Sequence, residues 1–216
     1  MSRQFAAEIN AGYFIYKKHQ YLSGVMQFKR AGKFILNKLR NELPHHLCYH
    51  SIDHTMDVYG EAERIAKEKN ISDYEQKLLL TAAVFHDSGF IKTRDGHEAE
   101  SCLIAREYLP AYGYQPIELE LICDMIMATR IPQSPQTYLE EILCDADLDY
   151  LGRDDFFSLS NRLFNELSFE GLVKDENEWD RQQTSFMQGH HYHTANSIKL
   201  RQPKKEEYIK LVKSKL

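Results

Sequence analysis

The chain has 216 residues, enough for one domain with a buried core, or one domain plus an extension, and too few for two full domains. Its 27 Lys and Arg against 32 Asp and Glu leave a net charge of −5, which argues against a dedicated nucleic-acid surface or anionic-membrane surface but leaves room for a local basic site. No apolar run approaches the ~20 residues of a membrane span, and the N-terminus is polar where a signal peptide would be apolar, so a cytoplasmic protein is expected. Cys48, Cys102, Cys123 and Cys144 form no C-x-x-C pair and fall within apolar patterns, as reduced buried thiols do.

In chain order, residues 1–24 carry scattered aromatics (Phe5, Tyr13, Phe14, Tyr16, Tyr21) without a clean period and read as a packing arm or short helix. Phe28, Ala31, Phe34, Ile35 and Leu39 recur at helical spacing until Pro44 ends the helix. From 50 to about 70 the pattern Ile52, Met56, Tyr59, Ala62, Ile65, Ala66 predicts a helix that places His50 and His54 on one face. His45 and His46, just upstream, read as exposed loop histidines.

The next helix runs through Leu78, Leu79, Leu80, Ala82, Ala83 and Phe85, is apolar around most of its surface, and should lie at the centre. Asp95 and Glu98 predict a capping box opening a helix over 99–112, which Pro110 and Gly113 end or kink. Residues 115–130 form another amphipathic helix with Ile117, Leu121, Ile122, Met125, Ile126 and Met127 as core candidates. Over 140–150, Ile142, Leu143, Ala146 and Tyr150 face the core, while Asp145, Asp147 and Asp149 stand so close that something positive must lie nearby. Helices over 154–169 and 178–188 and a basic amphipathic tail over 194–216 follow, with almost no strand signal. The expectation is an all-α fold: an arm over 1–24, a helical domain over 25–167, and a helical extension over 168–216 packed on the same domain.

The chemistry centres on His86–Asp87, where an apolar helix ends in an imidazole and a carboxylate and is followed shortly by Gly89. Asp is rarely buried unless paired or bound to a metal, so this placement asks for a cation; the alternative is a histidine at a helix C-terminus and an aspartate opening a turn. The surrounding stretches Tyr49-His50-Ser51-Ile52-Asp53-His54, Gly96-His97-Glu98 and Cys144-Asp145-Ala146-Asp147 give that doublet company. Together, over about 38–152, these stretches resemble the HD-domain superfamily of metal-dependent phosphohydrolases.

The resemblance implies an HD-like helical bundle in which His54, His86, Asp87 and Asp147 bind a divalent ion. Two imidazoles with two carboxylates do not select among Mn, Mg, Fe, Co, Ni and Zn. A second ion bridged by Asp87 would take His97 as a further ligand; His97 could instead hold a substrate phosphate or be structural. Asp145 is expected to cap or to orient a histidine N–H, and Asp53 to face outward or support a ligand.

The segment 49–54 is similar to the Y-H-N-x-x-H pattern of cyclic-nucleotide phosphodiesterases, with Ser51 in place of Asn. That implies His50 as the general acid, with Asp53 or a neighbouring carboxylate keeping it charged, in phosphodiester hydrolysis by metal-activated water. Lys92, Arg94 and Arg130 are the local cations for substrate phosphate, and at least one is expected to face the cleft. The expected partner is a small phosphorylated substrate, with a nucleotide the foremost case; oligomerisation is left open. The alternatives are a nucleotide phosphomonoesterase and a ligand- or partner-binding module without turnover. His190, His191 and His193 lack carboxylate company and read as structural.

Overall fold

A computed structural model describes residues 26–216, and every described element is helical. The arm expected over 1–24 lies outside the described residues. The helices are α1 (Phe28–Glu42), α2 (Ile52–Lys69), α3 (Asp73–Phe85), α4 (His97–Tyr108), α5 (Pro116–Ala128), α6 (Tyr138–Asp147), α7 (Phe156–Phe169), α8 (Glu176–Gly189) and α9 (Ala195–Lys213). Short 3-10 turns follow α3 (Ser88–Ile91), α4 (Leu109–Tyr112) and α6 (Asp149–Gly152).

The all-apolar helix is central: every α3 residue from Leu78 to Phe85 is buried, and α1, α2, α5 and α6 pack around it. Its start is fixed by a capping box, Ser72 Oγ accepting from the Glu75 amide while Glu75 accepts from the Ser72 amide. Asn70, in the left-handed region at φ 51°, ends α2 just before it. Phe85, fully buried, sets the last turn of α3 against the core, a placement worth roughly 1.5–3 kcal/mol of transfer free energy.

A second cluster forms where the C-terminal helices return to the domain. Tyr49, Tyr150, Leu151, Phe156, Met187, Tyr208 and Val212 are buried together. The turn after α6 is docked on α9 closely enough that a Cβ at Gly152 would lie 2.3 Å from the Arg201 carbonyl oxygen. Beside it, buried Asp149 meets Arg201 at 2.8 Å and Arg64 at 3.3 Å. The crowding of three carboxylates is thus resolved separately: arginines for Asp149, backbone amides for Asp145, and imidazoles for Asp147.

Several local expectations change. Helix α2 begins at Ile52, so His50 lies before it rather than on its face. Met56, Ile117 and Met127 are exposed, because the buried stripe of α2 runs through Thr55 and Val58 and that of α5 through Leu119, Ile122 and Met125. Gly96, at φ 72°, rather than Asp95 precedes α4, and no side chain caps it; the capping box of this region is Gln115–Glu118 at the start of α5. All four cysteines are free, but Cys48 is exposed.

Candidate metal centre

His86 ends α3 with its Nδ1 2.8 Å from the Ala83 carbonyl oxygen. A carbonyl only accepts, so Nδ1 carries the proton and the neutral ring presents a lone pair at Nε2. Gly89 brings the next segment in: a Cβ there would sit 2.0 Å from the His97 carbonyl oxygen. Ser101 on α4 ties the junction, donating to the His86 carbonyl at 2.6 Å and accepting from the Gly89 amide at 2.7 Å.

Four donor atoms from three helix ends then meet. His54 Nε2 is 3.4 Å from Asp87 Oδ2 and 3.3 Å from Asp147 Oδ1; His86 Nε2 is 3.2 Å and 3.4 Å from the same two oxygens. Donors about 2.1 Å from a shared ion in octahedral or tetrahedral geometry stand about 3.0–3.5 Å apart. His86 Nε2 and Asp87 Oδ2 are both buried without a hydrogen-bond partner, although they lie so close. With Nδ1 turned to a carbonyl, a neutral His86 aims its Nε2 lone pair at a carboxylate, an arrangement that a cation, either a proton on Nε2 or a metal ion between the two, satisfies and that neutral packing does not. The donor set therefore fits a divalent ion: His54, His86 and Asp147 form a compact group of candidate ligands, and Asp87 completes it.

Titration follows from the same crowding. Burial works to lower the His54 and His86 rings, but Asp87 and Asp147 outweigh it, lifting His54 to about 9 and His86 well above its ordinary value. Burial would raise the two carboxyls; the imidazoles reverse this and hold Asp147 at about 2 and Asp87 well below its usual range.

Asp87 turns its other oxygen, Oδ1, to His97 Nε2 at 3.4 Å. The His97 Nδ1 lies 3.0 Å from the Arg94 carbonyl oxygen, so its Nε2 too is the free ring nitrogen. Phe90 stacks between His97 and His50, with 4.1 Å between centroids on each side.

The residue that the sequence does not offer is Glu166 on α7. Its carboxylate is buried, accepts the Tyr49 and His50 backbone amides at 2.9 and 3.0 Å, and lies 2.5 Å from His50 Nδ1. Burial would raise the Glu166 carboxyl, but His50, Arg94 and the Tyr49 amide hold it down at about 2. Asp53, expected in this role, is exposed and lies 3.8 Å from Arg162. Its period along α2 places it away from the core, whereas Glu166 is more than a hundred residues from its partner, beyond any local pattern.

None of the three cations foreseen for substrate lines the cleft beside these donors. Arg94 pairs with Glu166 at 2.5 Å and with Glu170, and so buttresses His50 from behind; Lys92 pairs with Glu100 at 2.5 Å; Arg130 is exposed. Asp145 caps in a different sense from a ring N–H contact, accepting the His193 and Thr194 backbone amides at 2.8 Å each and so anchoring the entry to α9. His46 meets Glu170 at 3.0 Å, and His45 is exposed.

A family model of the HD domain matches residues 51–149, a span that contains all four donors and His97. That stretch is similar to the HD domain. An uncharacterized protein of Clostridium beijerinckii is 31% identical over 90 residues, covering 40% of this chain and 57% of that relative's length. Among solved structures, one from an uncultured Thermotogales bacterium, described as a predicted HD superfamily hydrolase, superposes with a TM-score of 0.58 at 20% identity, covering 84% of this chain and 89% of that one. One from Lactobacillus plantarum does so with a TM-score of 0.63 at 15% identity, covering 89% and 97%. At these identities the likeness is one of fold, and it extends past the HD match into the C-terminal helices.

Proposed function

We propose that this protein is a metal-dependent phosphohydrolase acting on a small phosphoester, with phosphodiesters favoured. The observation that carries the reading is the largely buried, mutually close set of His54, His86, Asp87 and Asp147, in which His86 Nε2 and Asp87 Oδ2 have no hydrogen-bond partner among the described residues. A divalent ion bound there would supply Lewis-acid polarisation of the phosphoryl group and a water of lowered pKa. Asp87, with one oxygen toward His54 and His86 and the other toward His97, is the residue placed to serve one ion or a pair.

The chain's own contribution to bond breaking is His50. Its Nδ1 is held by Glu166, which leaves Nε2 as the nitrogen able to give a proton to the departing oxygen. An alkoxide needs that proton; a nitrophenolate hardly does. No Lys or Arg lines the cleft among the described residues, so a singly charged diester is easier to accommodate than the dianion of a monoester. That supports diester over monoester hydrolysis. Assays of bis-p-nitrophenyl phosphate and p-nitrophenyl phosphate with Mn, Mg, Co, Ni and Zn test the reading. Turnover dependent on added ion, faster on the diester, is expected; no turnover with any ion would leave a binding module instead.

A further inference from the structure

The cleft in front of the metal centre encloses about 320 Å³, within the usual size of a small-molecule site. Its floor is made of Asp87, Asp147, His50, His97 and Glu98, and among the described residues the formal charges there are acidic or imidazole. Its far wall comes from α7 and α8, beyond the HD match: Leu163, Trp179, Gln182, Gln183, Phe186 and Met187.

The polar groups on that wall are already engaged. Gln183 Oε1 accepts from Ser160 Oγ at 2.7 Å, and its Nε2 donates to Asp180 Oδ1 at 2.7 Å. The Trp179 indole N–H donates to the same Ser160 oxygen at 3.1 Å. Thr129, on the facing side, donates to the Ile126 carbonyl at 2.8 Å. Among the described residues of the wall only Gln182, exposed and 3.5 Å from Glu178, has amide capacity to spare. A nucleobase seated here could pair at most with the Gln182 amide, and its other donors and acceptors would gain no partner from the wall, which an apolar group does not need. A polyphosphate would place further negative charge near Glu98, where no described lysine or arginine lines the cleft to meet it.

We infer that this wall is a specificity pocket for a phosphoester carrying one phosphoryl group on an uncharged, apolar organic group, and that it disfavours nucleotides, polyphosphates most of all. The inference rests on the hydrolase reading for the phosphate end, while the wall makes a separate claim about the other end. Trp179 is the single tryptophan of the chain and reports on the wall directly.

The test is a fluorescence titration of the full chain, zinc-loaded and metal-free, with three non-hydrolysable probes: hexylphosphonate, methylphosphonate and β,γ-methylene-ATP. Hexylphosphonate should shift Trp179 emission to the blue, saturate, and bind at least about tenfold tighter than either other probe. Phe186→Ser should weaken hexylphosphonate about tenfold more than methylphosphonate. Leu163→Lys, which adds a cation to the wall, should raise affinity for the ATP analogue, with circular dichroism showing that both variants remain helical. Equal or tighter binding of the ATP analogue by the unaltered chain, or an equal effect of Phe186→Ser on both phosphonates, would overturn the pocket. The two readings separate: hexylphosphonate binding without ester turnover removes the hydrolase and keeps the pocket, whereas ion-dependent turnover that prefers nucleoside triphosphates does the reverse.

Discussion

The two walls of the cleft are built by different physics from different parts of the chain. On one side, the ends of α2, α3 and α6 bring four charged or chargeable groups together at the floor of the cleft, and among the described residues neither His86 Nε2 nor Asp87 Oδ2 completes a hydrogen bond. On the other side, α7 and α8 offer hydrocarbon and amides whose hydrogen bonds are closed among themselves. The first wall calls for positive charge, carried either by protons on its imidazoles or by an ion in their place; the second is satisfied as it stands. On the proposed reading reactivity belongs to the first side and selection to the second, and Glu166 reaches from the second region toward the first through His50.

The largest effect should come from Asp87→Ala, which removes both oxygens from the charged wall. Activity should fall to that of the metal-free protein, with ion content lost by elemental analysis and the helical spectrum kept, since α3 is held by Leu78 to Phe85 rather than by Asp87. A variant with full ion content would show that the carboxylate is not part of the centre.

Next in size is His50→Asn. Rates on alkyl phosphodiesters should drop by about 10²–10⁴-fold, the usual range for a lost general acid, with a much smaller drop on nitrophenyl esters and unchanged ion content. Equal losses on both leaving groups would make His50 a scaffold residue. Glu166→Gln tests the bridge between the walls. It should reduce alkyl-ester turnover by about 10–100-fold, the range for groups that orient a functional histidine, and shift the alkaline limb of the pH–rate profile, the limb on which a general acid loses its proton. A uniform loss across substrates with an unmoved profile would mean that Glu166 only holds α7 in place.

The smallest effect concerns the support of the apolar wall. His190, at the end of α8, is buried, and the Lys205 amine donates to its carbonyl oxygen at 2.6 Å and lies 3.1 Å from its Nδ1. Burial, then the Lys205 charge and the nearby histidines, lowers His190 to about 3. An unfolded histidine takes up its proton near ~6.5, so the stability from this group is complete above that pH and is lost as the pH falls toward 3, by up to ~1.4 kcal/mol per pH unit. Burial also lowers Lys205 to about 8, so its contribution is complete above ~10.5 and fades as the pH falls to 8. Urea unfolding at pH 4, 6, 8 and 10 should show both slopes, His190→Gln flattening the acidic one and Lys205→Met the alkaline one. If neither variant changes its slope, these groups titrate alike in the folded and unfolded chain.

The same contrast decides how much of the molecule is legible in its sequence. The helices that carry the donors announce themselves through apolar period and through the cost of burying His86–Asp87, and the resemblance to the HD superfamily adds His54 and Asp147 to that doublet. The apolar wall has no such signature: Leu163, Phe186 and Met187 look like any core residues, and which ones face a cavity depends on how α7 and α8 dock. Glu166 leaves no local trace because its partners are remote in sequence, and Arg94 reads as a substrate cation only while Glu166 and Glu170, which claim it, are out of view. The apolar pattern of α2 extends smoothly to His50 and so places it on the helix face, whereas Ser51 ends the helix in extended backbone at φ −120°, ψ 177°.

The central claim is tested most directly by anomalous diffraction from crystals of the full chain grown with manganese. The account predicts a peak among His54 Nε2, His86 Nε2, Asp87 Oδ2 and Asp147 Oδ1, with a second peak, if present, between Asp87 Oδ1 and His97 Nε2. A peak elsewhere, such as at His190, His191 and His193, with none among those four atoms would contradict it.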